Sequence, residues 1–141
     1  MLPITSVYEI AIPVADLARA ETFYRHILEL DVGLRDEPRK WSFLRVGGRG
    51  GMIVLQETPA GFPSLHFAFA VDSEDMARAT ALLQERGVAI DGPHFHAWMP
   101  ATSVYFSDPD GHQLELCAPR RPAHERLKVP SGSGRSSAEQ V

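Results

Sequence analysis

The sequence predicts an α+β fold made of two similar halves. Strand-like and helix-like patterns run in the order strand, helix, strand, strand, and that order then repeats. A short internal repeat agrees with it. Glu9-Ile10-Ala11-Ile12-Pro13-Val14 lines up with His66-Phe67-Ala68-Phe69-Ala70-Val71, and Ala18-Arg19-Ala20 with Ala77-Arg78-Ala79. At 141 residues, with 44% hydrophobic and 23% charged residues, the chain suits one globular domain, or two small halves sharing a core.

The first strand is predicted over Val7 to Val14, with Ile10, Ile12 and Val14 on one face and Glu9 and Ala11 on the other. Asp16 offers a helix N-cap, and Leu17, Ala20, Phe23, Tyr24, Ile27 and Leu28 follow at helical spacing. Trp41 to Val46 and Met52 to Gln56 read as a hairpin joined across Gly47, Gly48, Gly50 and Gly51. Leu65 to Val71 opens the second half. Asp72 or Ser73 is the expected cap of a second helix with apolar positions Met76, Ala79, Leu82 and Leu83, and Gly87 is its stop. Gly92 to Pro100, rich in Gly, Pro and His, reads as a loop. Strands Thr102 to Ser107 and His112 to Cys117 follow, joined by the turn Asp108-Pro109-Asp110-Gly111. From Pro119 the pattern fades, and Ser131 to Val141 is small, polar and expected to be disordered.

Composition removes several classes of function. The net charge is −4 and no basic cluster exists beyond Arg120-Arg121, so nucleic-acid binding has little electrostatic support. No apolar run approaches bilayer length. The N-terminal stretch has neither a basic leader nor an apolar signal core, and a single cysteine, Cys117, excludes an intramolecular disulfide. The expectation is a cytoplasmic protein without membrane or nucleic-acid partners.

Strand parity then locates the chemistry. The bulky sets Ile10/Ile12/Val14, Phe67/Phe69/Val71 and Leu114/Leu116 should pack on the helices. The opposite faces carry Glu9 and Ala11, His66 and Ala68, and Gln113, Glu115 and Cys117, joined by Ser103 and Tyr105. Small residues punctuated by ionisable ones look like a cavity wall. Two buried carboxylates are costly unless compensated, and a divalent cation bound by Glu9, His66 and Glu115 would cancel both charges and use the imidazole lone pair. Parity leaves open the alternative that each residue is separately solvated or hydrogen-bonded.

The run Glu9-Ile-Ala-Ile-Pro-Val-Ala-Asp-Leu-Ala-Arg-Ala, the pair Phe23-Tyr24, and Ser103-Val-Tyr-Phe-Ser-Asp-Pro-Asp-Gly-His-Gln-Leu-Glu115-Leu resemble the vicinal oxygen chelate superfamily. That group includes glyoxalase I, fosfomycin-resistance enzymes, extradiol dioxygenases and bleomycin-resistance proteins. The resemblance implies a single domain over residues 5–118, made of two βαβββ modules at about 5–58 and 64–118. Their strands form a cup-shaped mixed sheet with helices on the outer face, and residues 119–141 are a C-terminal extension. It also implies metal-ligand places at Glu9, Val54, His66 and Glu115. Valine cannot ligate, so three ligands remain, with coordination open to water or a chelating substrate. Two glutamates and one histidine favour Mn²⁺ or Fe²⁺, with Zn²⁺ or Ni²⁺ also compatible. Tyr105, with Glu115, is implied in catalysis, and Ser103, Tyr105 and Arg126 in substrate binding. Against fosfomycin itself, Ala11 replaces the threonine such enzymes place beside the first ligand. The loop Phe95 to Pro100 also lacks their lysine, serine and potassium-binding glutamate.

The resemblance therefore implies a divalent-metal-dependent enzyme of lyase, isomerase or transferase type, acting on a small oxygen-chelating substrate. The alternatives are a non-catalytic drug- or metabolite-binding protein and, ranked lowest, an extradiol-type dioxygenase. Small members of the family are commonly homodimers that exchange modules, which would set Glu9 against His66 and Glu115 of a partner chain. Among the other candidates, His94 and His96 are expected to be solvated loop residues, although imidazoles there can act as acid or base. His112 reads as a turn residue and Cys117 as a small packing residue. Trp41, Phe43 and Trp98 are read as pocket-lining or core.

Overall fold

The computed structural model describes residues 1–47 and 50–120. Part of the glycine-rich hairpin turn, Arg126 and the polar tail lie outside them. Ten elements follow in order: β1 (Glu9–Val14), α1 (Leu17–His26), β2 (Asp31–Asp36), β3 (Trp41–Arg45), β4 (Met52–Glu57), β5 (His66–Ala70), α2 (Met76–Glu85), β6 (Asp91–His96), β7 (Ala101–Ser107) and β8 (Gln113–Pro119). Each half is a βαβββ module. The first module's strands form a sheet in the order β1-β4-β3-β2 and the second's in the order β5-β8-β7-β6. The first strand of each runs parallel to its last, across the helical crossover, and the others are antiparallel. The fold class expected from the sequence is the one observed.

Two strands differ from expectation, and they are equivalent. β2 had no strand reading, and β6 occupies what was read as the loop Gly92 to Pro100. Both are edge strands, largely exposed, and each is interrupted by a register shift against its neighbour. An edge strand in water needs no apolar alternation, and Pro93 costs β6 little because an edge tolerates a missing donor.

Helix α1 begins as expected, with the Asp16 carboxylate accepting from the Arg19 backbone N–H at 2.9 Å. Arg25 and His26 in its last turn complement the helix dipole. Helix α2 starts later than expected. Residues 73–75 form a turn, and Asp75, not Asp72 or Ser73, holds the N-cap position without a side-chain cap bond. Gly87 ends α2 with φ +80°, a conformation that glycine adopts without strain.

Parity is obeyed where it matters. Ile12, Val14, Leu44 and Leu55 from the first sheet and Val104 and Leu114 from the second are buried in one core with Ala20, Tyr24, Met76 and Leu83 of the helices. Each such aliphatic side chain contributes about 1.5–3 kcal/mol relative to exposure. Ile10, at the start of β1, escapes this core and is exposed.

The modules are joined on the helix side by the turn after β7. The Tyr24 hydroxyl donates to Asp108 Oδ2 at 2.7 Å, and Asp110 Oδ1 accepts from Ala15 N at 2.9 Å and from Arg19 at 3.1 Å. His112 is fully buried. Its Nδ1 accepts from Leu65 N at 3.0 Å, so Nε2 carries the proton and donates to Pro13 O at 2.6 Å. The turn-residue reading of His112 is thereby corrected: a neutral imidazole ties the second module to β1 of the first. Arg86 adds a bond to Ile27 O at 2.6 Å and one to Glu29 at 2.7 Å. The open faces of the sheets have no such cover, and Ala11, His66 and Ala68 are exposed.

Candidate metal and substrate site

The second module gathers the polar residues that parity assigned to one face. Ala68 pairs with Glu115, Glu115 with Tyr105, and Ser103 with Cys117, so these side chains stand in adjacent rows. His66 Nε2 lies 3.2 Å from Glu115 Oε2. Each residue is also held from behind. His66 Nδ1 is 3.1 Å from the Gln113 carbonyl, and the Ser103 hydroxyl donates to Glu115 Oε1. Glu115 is buried and Ser103 fully so, while the His66 side chain is half exposed.

Chemistry follows from these contacts. A carbonyl only accepts, so Nδ1 of His66 carries a proton, and in the neutral ring Nε2 presents a bare lone pair to a carboxylate oxygen. Two lone pairs at 3.2 Å repel unless a proton or a cation lies against both. A ligating histidine whose other nitrogen donates to a carbonyl is the usual arrangement behind a metal. His66 and Glu115 therefore fit two of the three ligand places expected of a divalent-metal site.

Glu9 stands at the exposed start of β1, in the other sheet. Among the described residues of one chain, no three His, Cys, Asp or Glu side chains gather as a metal site. Val54 holds the place equivalent to Glu115, since Ala11 pairs with Val54 as Ala68 pairs with Glu115. It is buried and apolar.

The histidines of β6 depart from the solvated-loop expectation. His94 and His96 lie on the strand two residues apart and share the face of Ser103 and Tyr105. His96 Nε2 is 2.9 Å from the Tyr105 hydroxyl, and His94 Nε2 is 2.6 Å from Asp91 Oδ1. The rings of His66, His94 and His96 all lie 6.2–6.3 Å from that of Tyr105. Sequence reasoning missed this cluster because Gly92 and Pro93 masked the strand, although the alternation His94-Phe95-His96 was its signal. Trp98 is exposed at 81%, not core, and lies 6.3 Å from His96. Trp41 and Phe43 are partly exposed on the open face of the first module, with Arg39 5.5 Å above Trp41. Cys117 is half-buried on the Glu115 face.

Residues 6–116 match the model of the Glyoxalase/Bleomycin resistance protein/Dioxygenase superfamily. The chain belongs to this superfamily. Among curated members it is similar to the metallothiol transferase FosB of Staphylococcus epidermidis, 32% identical over 120 residues and 82% of each chain. It is also similar to the glutathione transferase FosA of Serratia marcescens, 29% identical over 123 residues and 79% of each. Among solved structures, an integron cassette protein from the mobile metagenome of the Halifax Harbour sewage outfall is 41% identical. Its TM-score is 0.79, covering 82% of this chain and 99% of that one. TnmS3, an antibiotic binding protein from a Streptomyces species, is 32% identical with a TM-score of 0.70, covering 85% and 100%.

Proposed function

We propose that this chain is a divalent-metal-dependent enzyme of the transferase kind, acting on a small substrate that chelates through oxygen. The observation that carries the reading is the His66–Glu115 pair, 3.2 Å apart with both residues held from behind. The similarity to a metallothiol transferase and a glutathione transferase agrees with it.

In this reading His66 and Glu115 hold the cation and Glu9 supplies the third ligand. Two carboxylates and one imidazole favour Mn²⁺ or Fe²⁺, with Zn²⁺ or Ni²⁺ compatible. When bound, such a cation acts as a Lewis acid, stabilising negative charge that develops on chelating substrate oxygens. Ser103 fixes the Glu115 carboxylate, and Gln113 O fixes the His66 ring. Tyr105 offers its hydroxyl to the substrate beside Glu115, and Val54 leaves its quarter of the cup without a competing donor. Arg126, outside the described residues, joins the substrate contacts by resemblance.

The site is completed by a second copy of the chain in a homodimer with exchanged modules. The outer edges of β1 and β5 have no partner strand among the described residues. Met1, Leu2, Ile4, Val7 and Tyr8, which lead into β1, are all exposed, an apolar stretch that calls for cover. A monomer by light scattering would count against the exchange. The domain is taken as residues 5–118, with modules at about 5–58 and 64–118.

Calorimetric titration of Mn²⁺ tests the metal. Wild type is expected to take up one ion per chain, Glu115→Gln and His66→Ala to lose uptake, and Glu9→Gln to weaken it at least about tenfold. No uptake by wild type overturns the reading. A second reading, a protein that only sequesters an antibiotic or metabolite, draws on the similarity to TnmS3 and on the apolar wall of Trp41 and Phe43. In that case Glu115→Gln leaves ligand affinity largely intact.

A further inference from the structure

A divalent cation held by Glu9, His66 and Glu115 is neutralised by its own two carboxylates. A further negative group on a substrate in the cup then needs a cation from the protein. Arg45 is placed to supply it. Trp41, Phe43 and Arg45 share one face of β3, while the alternate residues Ser42 and Leu44 are buried toward the helices. Arg45 therefore stands on the open face, in the row that runs Glu9, Met52, Arg45 across β1, β4 and β3. Two strand spacings separate Glu9 from Arg45, about 10 Å between their Cα atoms. Both lie on one sheet, so the span is the same whichever chain supplies His66 and Glu115.

The Arg45 side chain is exposed and has no acid partner. Arg19, Arg25, Arg35, Arg39, Arg78 and Arg86 each make an ion pair. Arg45 makes none among the described residues, although Asp31 is its cross-strand neighbour. Its guanidinium lies over Gly33, in the bulge of β2, where a Cβ would stand 3.2 Å from Nε and 3.4 Å from Cζ. Gly33 has no positive φ, so the backbone does not call for glycine there. Its missing side chain makes room for the guanidinium. Phe43, Met52 and the exposed Leu34 are apolar neighbours on the same face. Arg45 also borders a hollow of about 680 Å³ at the β2 edge, where Arg25 and Arg35 are both held by Glu21. Asp31 and Glu37 line the same hollow, which makes it a poor place for a free inorganic anion. An anion tethered to a chelating substrate is different, because the tether holds it at high local concentration.

We propose that Arg45 anchors a carboxylate carried by the substrate at the end remote from its chelating oxygens, a specificity role that rests on the metal-dependent reading above. The planar fork of guanidinium N–H donors matches the two oxygens of a carboxylate. The substrate class is then an oxygen chelator with an acidic tail, extended across the first module's sheet from Glu9 toward β2.

Monohydroxamates of the straight-chain diacids from succinic to suberic acid are suitable probes. Each chelates through two adjacent oxygens and carries a carboxylate at a different reach. Their affinities for the Mn²⁺-loaded full chain are measured by calorimetry against those of their methyl esters, which have the same reach without the charge. At the length that spans the site, the acid is expected to bind about fivefold tighter than its ester, and added salt to erode the difference. Arg45→Gln is expected to remove this preference and to leave the affinity for acetohydroxamate, which has no carboxylate, unchanged within about twofold. Arg45→Lys is expected to keep part of it, because an ammonium is a point charge without the fork. Gly33→Ala, which displaces the guanidinium, is expected to weaken it. No preference for the acid at any length in wild type, or a preference that survives in Arg45→Gln, overturns the proposal while leaving the metal reading intact. Failure of Mn²⁺ itself to bind overturns both, and failure of every hydroxamate to bind the loaded protein overturns the anchor.

Discussion

Replacing Tyr24 by phenylalanine tests whether the modules are held together as described. The Tyr24 hydroxyl is fully buried and donates at 2.7 Å to Asp108 Oδ2, itself buried. Asp108 Oδ1 keeps its bonds from the backbone N–H groups of Asp110 and His112, but in the variant Oδ2 loses its donor. A hydrogen bond to a charged group contributes about 1.5–3 kcal/mol, and the stranded oxygen stays out of water, so a loss of about 2–3 kcal/mol is expected. For a chain of this length that lowers Tm by about 6–9 °C. Urea unfolding followed by circular dichroism measures it, and a loss under about 0.5 kcal/mol, the range of an indifferent surface change, would refute the reasoning. The same contact has a pH signature. Burial first, and then the Asp108 charge and hydrogen bond, hold the Tyr24 phenol far above its ordinary range. Only the unfolded chain sheds that proton near about pH 10, so the folded state binds more protons there and stability falls as pH rises through and beyond that point. In the phenylalanine variant this alkaline loss is expected to be smaller.

Three further outcomes follow from the same contacts. His112→Phe leaves Leu65 N and Pro13 O without their shared partner and is expected to cost about 2–5 kcal/mol in urea unfolding. Gly92→Ala forces a Cβ to 2.8 Å from Ser103 O in a conformation that non-glycine residues rarely adopt. It is expected to cost about 1–3 kcal/mol and to shift the imidazole resonances of His94 and His96, but not that of His112. Glu21 sits below the ordinary carboxylate range, chiefly through its hydrogen bond from Arg35, against a burial effect that raises it. Its stabilisation is present above that range and lost as pH falls through the lowered value, so Glu21→Gln should flatten the acid limb of a Tm–pH profile.

The legible part of the fold was the part under apolar pressure. Ile12, Val14, Leu44, Leu55 and Leu114 announced their strands because each must face a helix, and Asp16 announced a helix because its carboxylate has an orphan N–H to meet. β2 and β6 are largely exposed edges, so little apolar alternation marks their residue order. The start of α2 was misread because Asp72 and Ser73 have the chemistry of a cap, and only the backbone turn over residues 73–75 excludes them. Of the candidate site, His66, Ser103, Tyr105 and Glu115 followed from strand parity once the strands were known, while the partners of His94 and His96 did not.

The amino-acid order by itself determined the repeat, which is a match between two stretches of the same chain, and the parity of the central strands with the residue types facing the cup, which depend only on neighbours two to four positions apart. Tertiary structure decided what those residues meet. His112 became a neutral tie to Pro13, Tyr24 a donor to Asp108, and His96 the partner of Tyr105, across separations of 99, 84 and 9 residues. A hydrogen bond spanning such distances depends on where the chain returns to itself, which packing of the whole core fixes and no local pattern encodes.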